Sequence, residues 1–290
     1  MKEKVFDGNF YRKLESISLK ARMSMTEGAA GGRKSKVKGS SVELSDFREY
    51  VPGDDYRRID WNAYGRFEKL FLKLFMEERE ALINIFVDSS KSMDFGDKHK
   101  GHMALRVSAI LAYLALNNLD RVVLNRLQGE NLVHSSSYLG KSSFQKVIQF
   151  LEATEFNGNT NIAKAIKRRD LKIRGISVVI SDFFTLSSIE EAVKYLAYKK
   201  QQIVFIQVLS EEEVNPTFRG QVRLIDSETK EEVNITITPK LLKTYRAKLK
   251  AQQANLKELT QKYGGVFLQI SSADSIEKIV FDSFAKEGII

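Results

Sequence analysis

The chain has 290 residues, 43% of them hydrophobic, with 46 Lys and Arg against 37 Asp and Glu for a net charge of +9, and no cysteine. That excludes a disulfide framework and thiolate chemistry, and leaves room for one large domain or two modest ones. No run approaches the roughly 18 to 20 apolar residues of a membrane span, and the charged start Met1-Lys-Glu-Lys-Val-Phe-Asp-Gly has no apolar core of a secretory signal, so a cytoplasmic protein is expected.

From the N-terminus, residues 9–24 carry apolar side chains at Phe10, Leu14, Ile17 and Leu19, which predicts a short amphipathic helix. Residues 27–41 are rich in Gly, Ser and Lys and read as a loop. Within them Gly28-Ala-Ala-Gly-Gly-Arg-Lys-Ser35 is a near miss to a phosphate-binding loop, with Arg33 where the second motif glycine belongs. Residues 42–80 mix Pro52-Gly53, many charges and the single tryptophan, Trp61. Asp54, Asp55, Arg57, Arg58, Asp60 and Arg66 read as turn caps and ion pairs fixing an irregular segment, with a catalytic cluster as the alternative. Trp61 is expected to be its apolar anchor. Lys69–Met76 reads as a strand. Residues 1–80 are thus taken as an N-terminal segment ahead of a domain spanning 81–290.

From Ala81 strand-like and helix-like runs alternate. Strands are expected at Leu82–Val87, Arg121–Leu127, Leu132–Ser135, Ile176–Ser181, Ile203–Leu209 and Val266–Ile270. Helices are expected near 102–119, 142–154, 161–168, 187–199, 240–263 and 274–286. This alternation argues for an α/β, doubly wound, mostly parallel sheet. A hairpin inserted at about 215–238 interrupts it. In the helix that follows, Leu242, Tyr245, Leu249, Leu256, Leu259 and Tyr263 mark a core face. Its outer face is basic, with seven Lys and Arg and one acidic residue over 240–262.

The strand Leu82–Val87 empties into Asp88-Ser-Ser-Lys-Ser-Met93, so Asp88, Ser90 and Ser92 alternate in the loop behind it. Thr160 follows Asn157-Gly-Asn159, and Asp182 ends the run Ile176–Ser181. In an open parallel sheet, groups at the carboxyl ends of the strands converge. One carboxylate type and hydroxyls, with nothing soft, suit Mg²⁺ or Mn²⁺ rather than zinc or copper.

Asp-x-Ser-x-Ser, then Thr, then Asp resembles the metal-ion-dependent adhesion site of von Willebrand factor A domains. Tyr50-Val-Pro-Gly-Asp-Asp-Tyr-Arg-Arg-Ile-Asp-Trp-Asn-Ala63, with Arg66, resembles the signature of the bacterial family named "domain of unknown function 58". The resemblance implies Ser90 and Ser92 as direct ligands and Thr160 as a direct or water-bridged one. It implies Asp88 and Asp182 as holders of coordinated water, with Lys91 and Asn159 facing a partner whose carboxylate completes the ion's shell. It also implies a MoxR-type AAA+ ATPase as partner, in assembly or maturation of protein complexes. A metal-dependent interaction module, not an enzyme, is therefore expected. A Mg²⁺-dependent phosphohydrolase, with His99, His102 or His134 as base, and a polyanion-binding protein are the alternatives. Those histidines are expected to lie in exposed loops. Asp94 and Asp97 either widen the site or bind nothing.

Overall fold

The computed structural model describes residues 5–27, 43–76, 81–171, 174–184, 188–227 and 230–289. The Gly- and Lys-rich segment 28–42, including the near-miss phosphate loop, lies outside them. Two compact units are present: residues 1–21 with 81–290, and residues 22–80.

The first helix, α1 (Gly8–Glu27), begins where the Asp7 carboxylate accepts from the Phe10 N–H at 2.7 Å. Phe10, Leu14 and Ile17, spaced to fall on one helical face, join Phe6 in the core of the large unit. The start of the chain thus belongs to the large unit, whereas sequence grouped all of 1–80 together.

The small unit pairs strand β1 (Glu43–Glu49) antiparallel with β2 (Phe71–Met76), around helix α2 (Trp61–Phe67). The expected caps and ion pairs are there. Asp60 caps α2 by accepting from the Asn62 and Ala63 N–H groups, and Arg48 reaches both oxygens of Asp54 at 2.8 Å. The role given to Trp61 is not: it is 63% exposed, edge-on to Tyr64. It opens α2 and projects outward, while Ile59 and Leu72, bridged across the backbone, supply the buried contact.

The large unit is built on a six-stranded sheet. Its strands are β3 (Leu82–Asp88), β4 (Arg121–Gln128), β5 (Asn131–His134), β6 (Gly175–Ser181), β7 (Gln201–Leu209) and β10 (Val266–Ser271), in the order β10-β7-β6-β3-β4-β5. All pairs are parallel except β4 with β5. Counted along the sheet's own strands this is 3-2-1-4-5-6, the doubly wound order. Helices α3 (Lys100–Asn117) and α4 (Phe144–Glu152) join α1 on one face, and α5 (Ile162–Lys167), α6 (Ile189–Tyr198) and part of α8 (Pro239–Lys262) cover the other. Burial on both faces explains why the central strands read as continuous apolar runs. Ile83, Ile85 and Val87 face the first layer and Phe86 the second. The last expected helix is a turn, α9 (Ile276–Lys278), running into a π-helical turn at Ile279–Phe284.

A four-residue helix α7 (Glu211–Val214) follows β7. The inserted hairpin is β8 (Gly220–Ile225) and β9 (Glu232–Ile237), paired Val222 to Ile235 and Leu224 to Val233. None of its described residues is buried. In α8 Leu249 and Leu256 are buried and Leu259 and Tyr263 half-buried, as the spacing predicts.

Candidate metal centre

Strands β3 and β6 are parallel neighbours, so Asp88 and Ser181-Asp182 leave the sheet side by side. The chain turns one way from β3 to β4 and the other way to β6, which places the site at the topological switch point. The loop after β3 is stitched to its surroundings by backbone. Ser89 donates to Leu127 O through both its N–H (3.1 Å) and its hydroxyl (2.6 Å). The Lys91 N–H donates to Gly158 O at 2.7 Å, and the Asn157 N–H to Ser89 O at 3.0 Å. Gly129 and Thr160 form a bridge that fixes the loop from below. Gly158 has φ 63°, a left-handed conformation that glycine adopts without strain.

The five oxygen-bearing residues expected from sequence are brought together. Asp88, 3% exposed, accepts the Ser90 N–H on Oδ1 at 2.9 Å and the Ser181 hydroxyl on Oδ2 at 2.6 Å. The Thr160 hydroxyl also reaches Asp88, and lies 3.5 Å from Leu127 O. The Ser90 and Ser92 hydroxyls are 3.0 Å apart. Asp182, 2% exposed, accepts the Phe184 N–H on Oδ1 at 2.9 Å, and its carbonyl accepts from Gln207 at 2.9 Å. Burial first, and the charge of Asp182 second, push the Asp88 carboxyl above its ordinary range, against its three hydrogen bonds.

Sequence missed three members of this cluster. Ser181 was only part of a strand, yet its hydroxyl both donates to Asp88 and accepts the Phe183 N–H at 2.9 Å. Lys100, 1% exposed, donates to Asp182 Oδ2 at 2.7 Å and to Glu213 Oε1 at 2.6 Å. Burial would lower this ammonium's pKa, but the two carboxylates outweigh it and hold it above its ordinary value. Glu213 is pushed up by burial despite Lys100. It sits in a capping box with Ser210, a Ser-x-x-Glu pattern readable in the sequence. For Lys100 no local pattern gave a signal.

The surrounding candidates resolve differently. Lys91 keeps 38% of its side chain exposed, and its ammonium is paired with Asp94. Asn159 is exposed, and its carbonyl accepts the Gly129 N–H at 3.1 Å. His99 and His102 are not exposed loop residues. His99 is the N-cap of α3, its Nδ1 accepting the His102 N–H at 3.2 Å, and the two rings stack 4.0 Å apart. Its Nε2 therefore carries the proton it donates to Asp94 at 2.6 Å. Asp94 thus ties Lys91 to His99, and both partners draw its carboxyl below the ordinary range, Lys91 foremost. His134 lies exposed at the end of β5.

The donor set fits a small hard cation. With Mg²⁺–oxygen bonds of roughly 2.1 Å at right angles, adjacent ligands stand about 3 Å apart, the separation of the Ser90 and Ser92 hydroxyls. Two buried carboxylates that repel one another are an environment a cation relieves.

A doubly wound sheet with oxygen-bearing side chains at its switch point is the architecture expected from the resemblance to von Willebrand factor A domains. The chain belongs to the family described as "Protein of unknown function DUF58", whose sequence model matches residues 46–255. It is 23% identical over 264 residues to the uncharacterized protein Rv1480 of Mycobacterium tuberculosis, a match covering 89% of this chain and 83% of that one. Among solved structures it is similar to the conserved hypothetical protein BatB from Bacteroides thetaiotaomicron, at 15% identity and a TM-score of 0.43, covering 72% of this chain and all (100%) of that one. The SpRpn10 VWA domain is similar at 10% identity and a TM-score of 0.40, covering 71% of this chain and 95% of that domain. Among the described residues, no helix is long and apolar enough to cross a membrane.

Proposed function

We propose that this chain is a metal-dependent protein-interaction module. Ser90, Ser92 and Thr160 would hold Mg²⁺ or Mn²⁺, with Asp88 and Asp182 placed to hold its water. Bound there, the ion supplies an electrophilic point for a carboxylate from another protein. The observation that carries this reading is the convergence of five oxygen-bearing residues at adjacent strand ends, with two hydroxyls at the spacing of neighbouring ligands. Few of the direct ligands are charged, so weak binding in the rough micromolar-to-millimolar range is expected. The partner reading, a MoxR-type AAA+ ATPase acting in assembly or maturation of complexes, draws on the family resemblance alone.

Binding without turnover is the companion proposal. A general base needs a free lone pair within reach of the water it activates. Both nitrogens of His99, the imidazole nearest the metal loop in sequence, are committed to Asp94 and the His102 N–H. Calorimetric titration of the chelator-treated chain with Mn²⁺ tests the ion. Unchanged binding in a Ser90→Ala, Ser92→Ala double variant would refute the assignment. Capture of a MoxR-type ATPase by the wild type and not by Asp88→Ala would support the partner.

A further inference from the structure

Lys100 is one of the most deeply enclosed charged side chains in the chain, and it stands against Asp182. Its ammonium is flanked by the Phe95 and Phe184 rings, 5.8 and 5.6 Å from their centres. Among the described residues two carboxylates meet its charge, Asp182 at 2.7 Å and Glu213 at 2.6 Å. Glu213 is itself fixed: Ser210 N–H donates to its other oxygen at 2.8 Å, and the Tyr245 hydroxyl from α8 donates to its carbonyl at 2.8 Å. Gly96 at φ 90°, with Ser210 Cβ 2.7 Å from where a side chain would begin, lets the loop beyond Ser92 close over this group.

We propose that Lys100 is the resident counter-ion of the site and competes with the divalent cation for Asp182. Glu213, by sharing the ammonium's charge, sets how much of that charge the metal meets. This rests on the divalent-cation reading above. Two consequences of opposite sign follow. Without the ammonium, Asp182 is available to the metal's water shell and like-charge repulsion is gone, so affinity rises. Without the Glu213 carboxylate, the ammonium's charge falls undivided on Asp182 and the metal, so affinity falls. A merely structural role would weaken binding in both cases.

The test is Mn²⁺ binding to the full, chelator-treated chain, followed by calorimetry and by the electron paramagnetic resonance of free Mn²⁺, with circular dichroism to check folding. Charge interactions across a few ångströms of protein interior are worth at least about tenfold in affinity. Lys100→Gln should therefore bind about tenfold tighter, and Glu213→Gln about tenfold weaker. Lys100→Arg, which keeps the charge, should stay within about threefold of wild type. A folded Lys100→Gln with equal or weaker affinity overturns the proposal, and so does Glu213→Gln with equal or tighter affinity. Should Lys100→Gln not fold, the double variant Lys100→Gln, Glu213→Gln, which removes both buried charges together, takes its place: it should bind more tightly than Glu213→Gln alone, and equal or weaker binding overturns the proposal. Binding by Lys100→Gln where the wild type shows none supports it strongly. Silence of both overturns the metal reading and this proposal together, whereas wild-type binding that the Lys100 variants do not alter overturns this proposal only.

Discussion

Ser181 and Ser90 both bring hydroxyls to the Asp88 cluster, yet they should fail in different ways when truncated. The Ser181 hydroxyl donates to the buried Asp88 carboxylate at 2.6 Å and accepts from the Phe183 N–H at 2.9 Å. Ser181→Ala removes a hydrogen bond to a charged group, worth about 1.5–3 kcal/mol, and strands a buried N–H, so a loss of about 3 kcal/mol is expected. The Ser90 hydroxyl meets the Ser92 hydroxyl at 3.0 Å. That neutral contact is worth about 1 kcal/mol or less. Urea unfolding followed by circular dichroism separates the two. With a slope near 3 kcal/mol/M, Ser181→Ala should lower the midpoint by about 1 M and Ser90→Ala by about 0.3 M or less. Mn²⁺ titration should rank the pair the other way, with the larger loss for Ser90→Ala. Equal midpoints for the two variants would refute the division of the cluster into an Asp88-holding hydroxyl and a ligand hydroxyl.

Four further outcomes are expected. Asp88 is pushed above its ordinary carboxyl value of 3.8 by burial and by Asp182, so the folded chain holds this proton where the unfolded chain has lost it. Its charged form therefore penalises folding above the raised folded value, and the penalty is relieved as pH falls through that value toward 3.8; Asp88→Asn should flatten this part of the stability–pH curve measured by urea midpoints. Asn84 is fully buried, with neither side-chain polar atom paired among the described residues, so Asn84→Leu should raise stability by about 1–3 kcal/mol, and a lowered midpoint would reveal a hidden partner. Phe6, Phe10, Leu14 and Ile17 are all buried in the large unit, each worth about 1.5–3 kcal/mol, so a fragment starting at residue 81 should fail to fold cooperatively in a thermal melt, while deletions elsewhere in 22–80 should be milder. Finally, a phosphatase assay with Mg²⁺ and Mn²⁺ should show no turnover; activity that survives repurification and vanishes in Asp182→Ala would displace the binding reading.

The central strands were legible because both their faces are covered. Leu82–Val87 and Ile176–Ser181 each form an apolar run bounded by polar loop residues, and the observed ends moved by about one residue. Asp88, Ser90, Ser92, Thr160 and Asp182 were legible because their types and strand-end positions share one chemistry. What was hidden has physical causes. β1 reads Glu-Leu-Ser-Asp-Phe-Arg-Glu, and its charges mask a strand held in a two-stranded pair. Trp61, the single tryptophan, reads as an anchor in the sequence, but a seven-residue helix capped by Asp60 turns that first position outward. Lys100 was invisible because a buried lysine is defined by partners far away in sequence, Asp182 and Glu213, and single-sequence patterns report only near neighbours.

Those separations also set an order in time. Asp88 meets Ser181 across 93 positions, and Lys100 meets Glu213 across 113. A ribosome adding about 5–20 residues per second leaves the lysine waiting for its second carboxylate for roughly 6 to 20 seconds. Until β6 is made β3 can pair only with β4, and the charged groups stay in water until the later elements enclose them. Closing the ion cluster thus waits for β6, β7 and α7 to be made. Substitutions there should leave early collapse unchanged and act on the final consolidation, seen chiefly as faster unfolding.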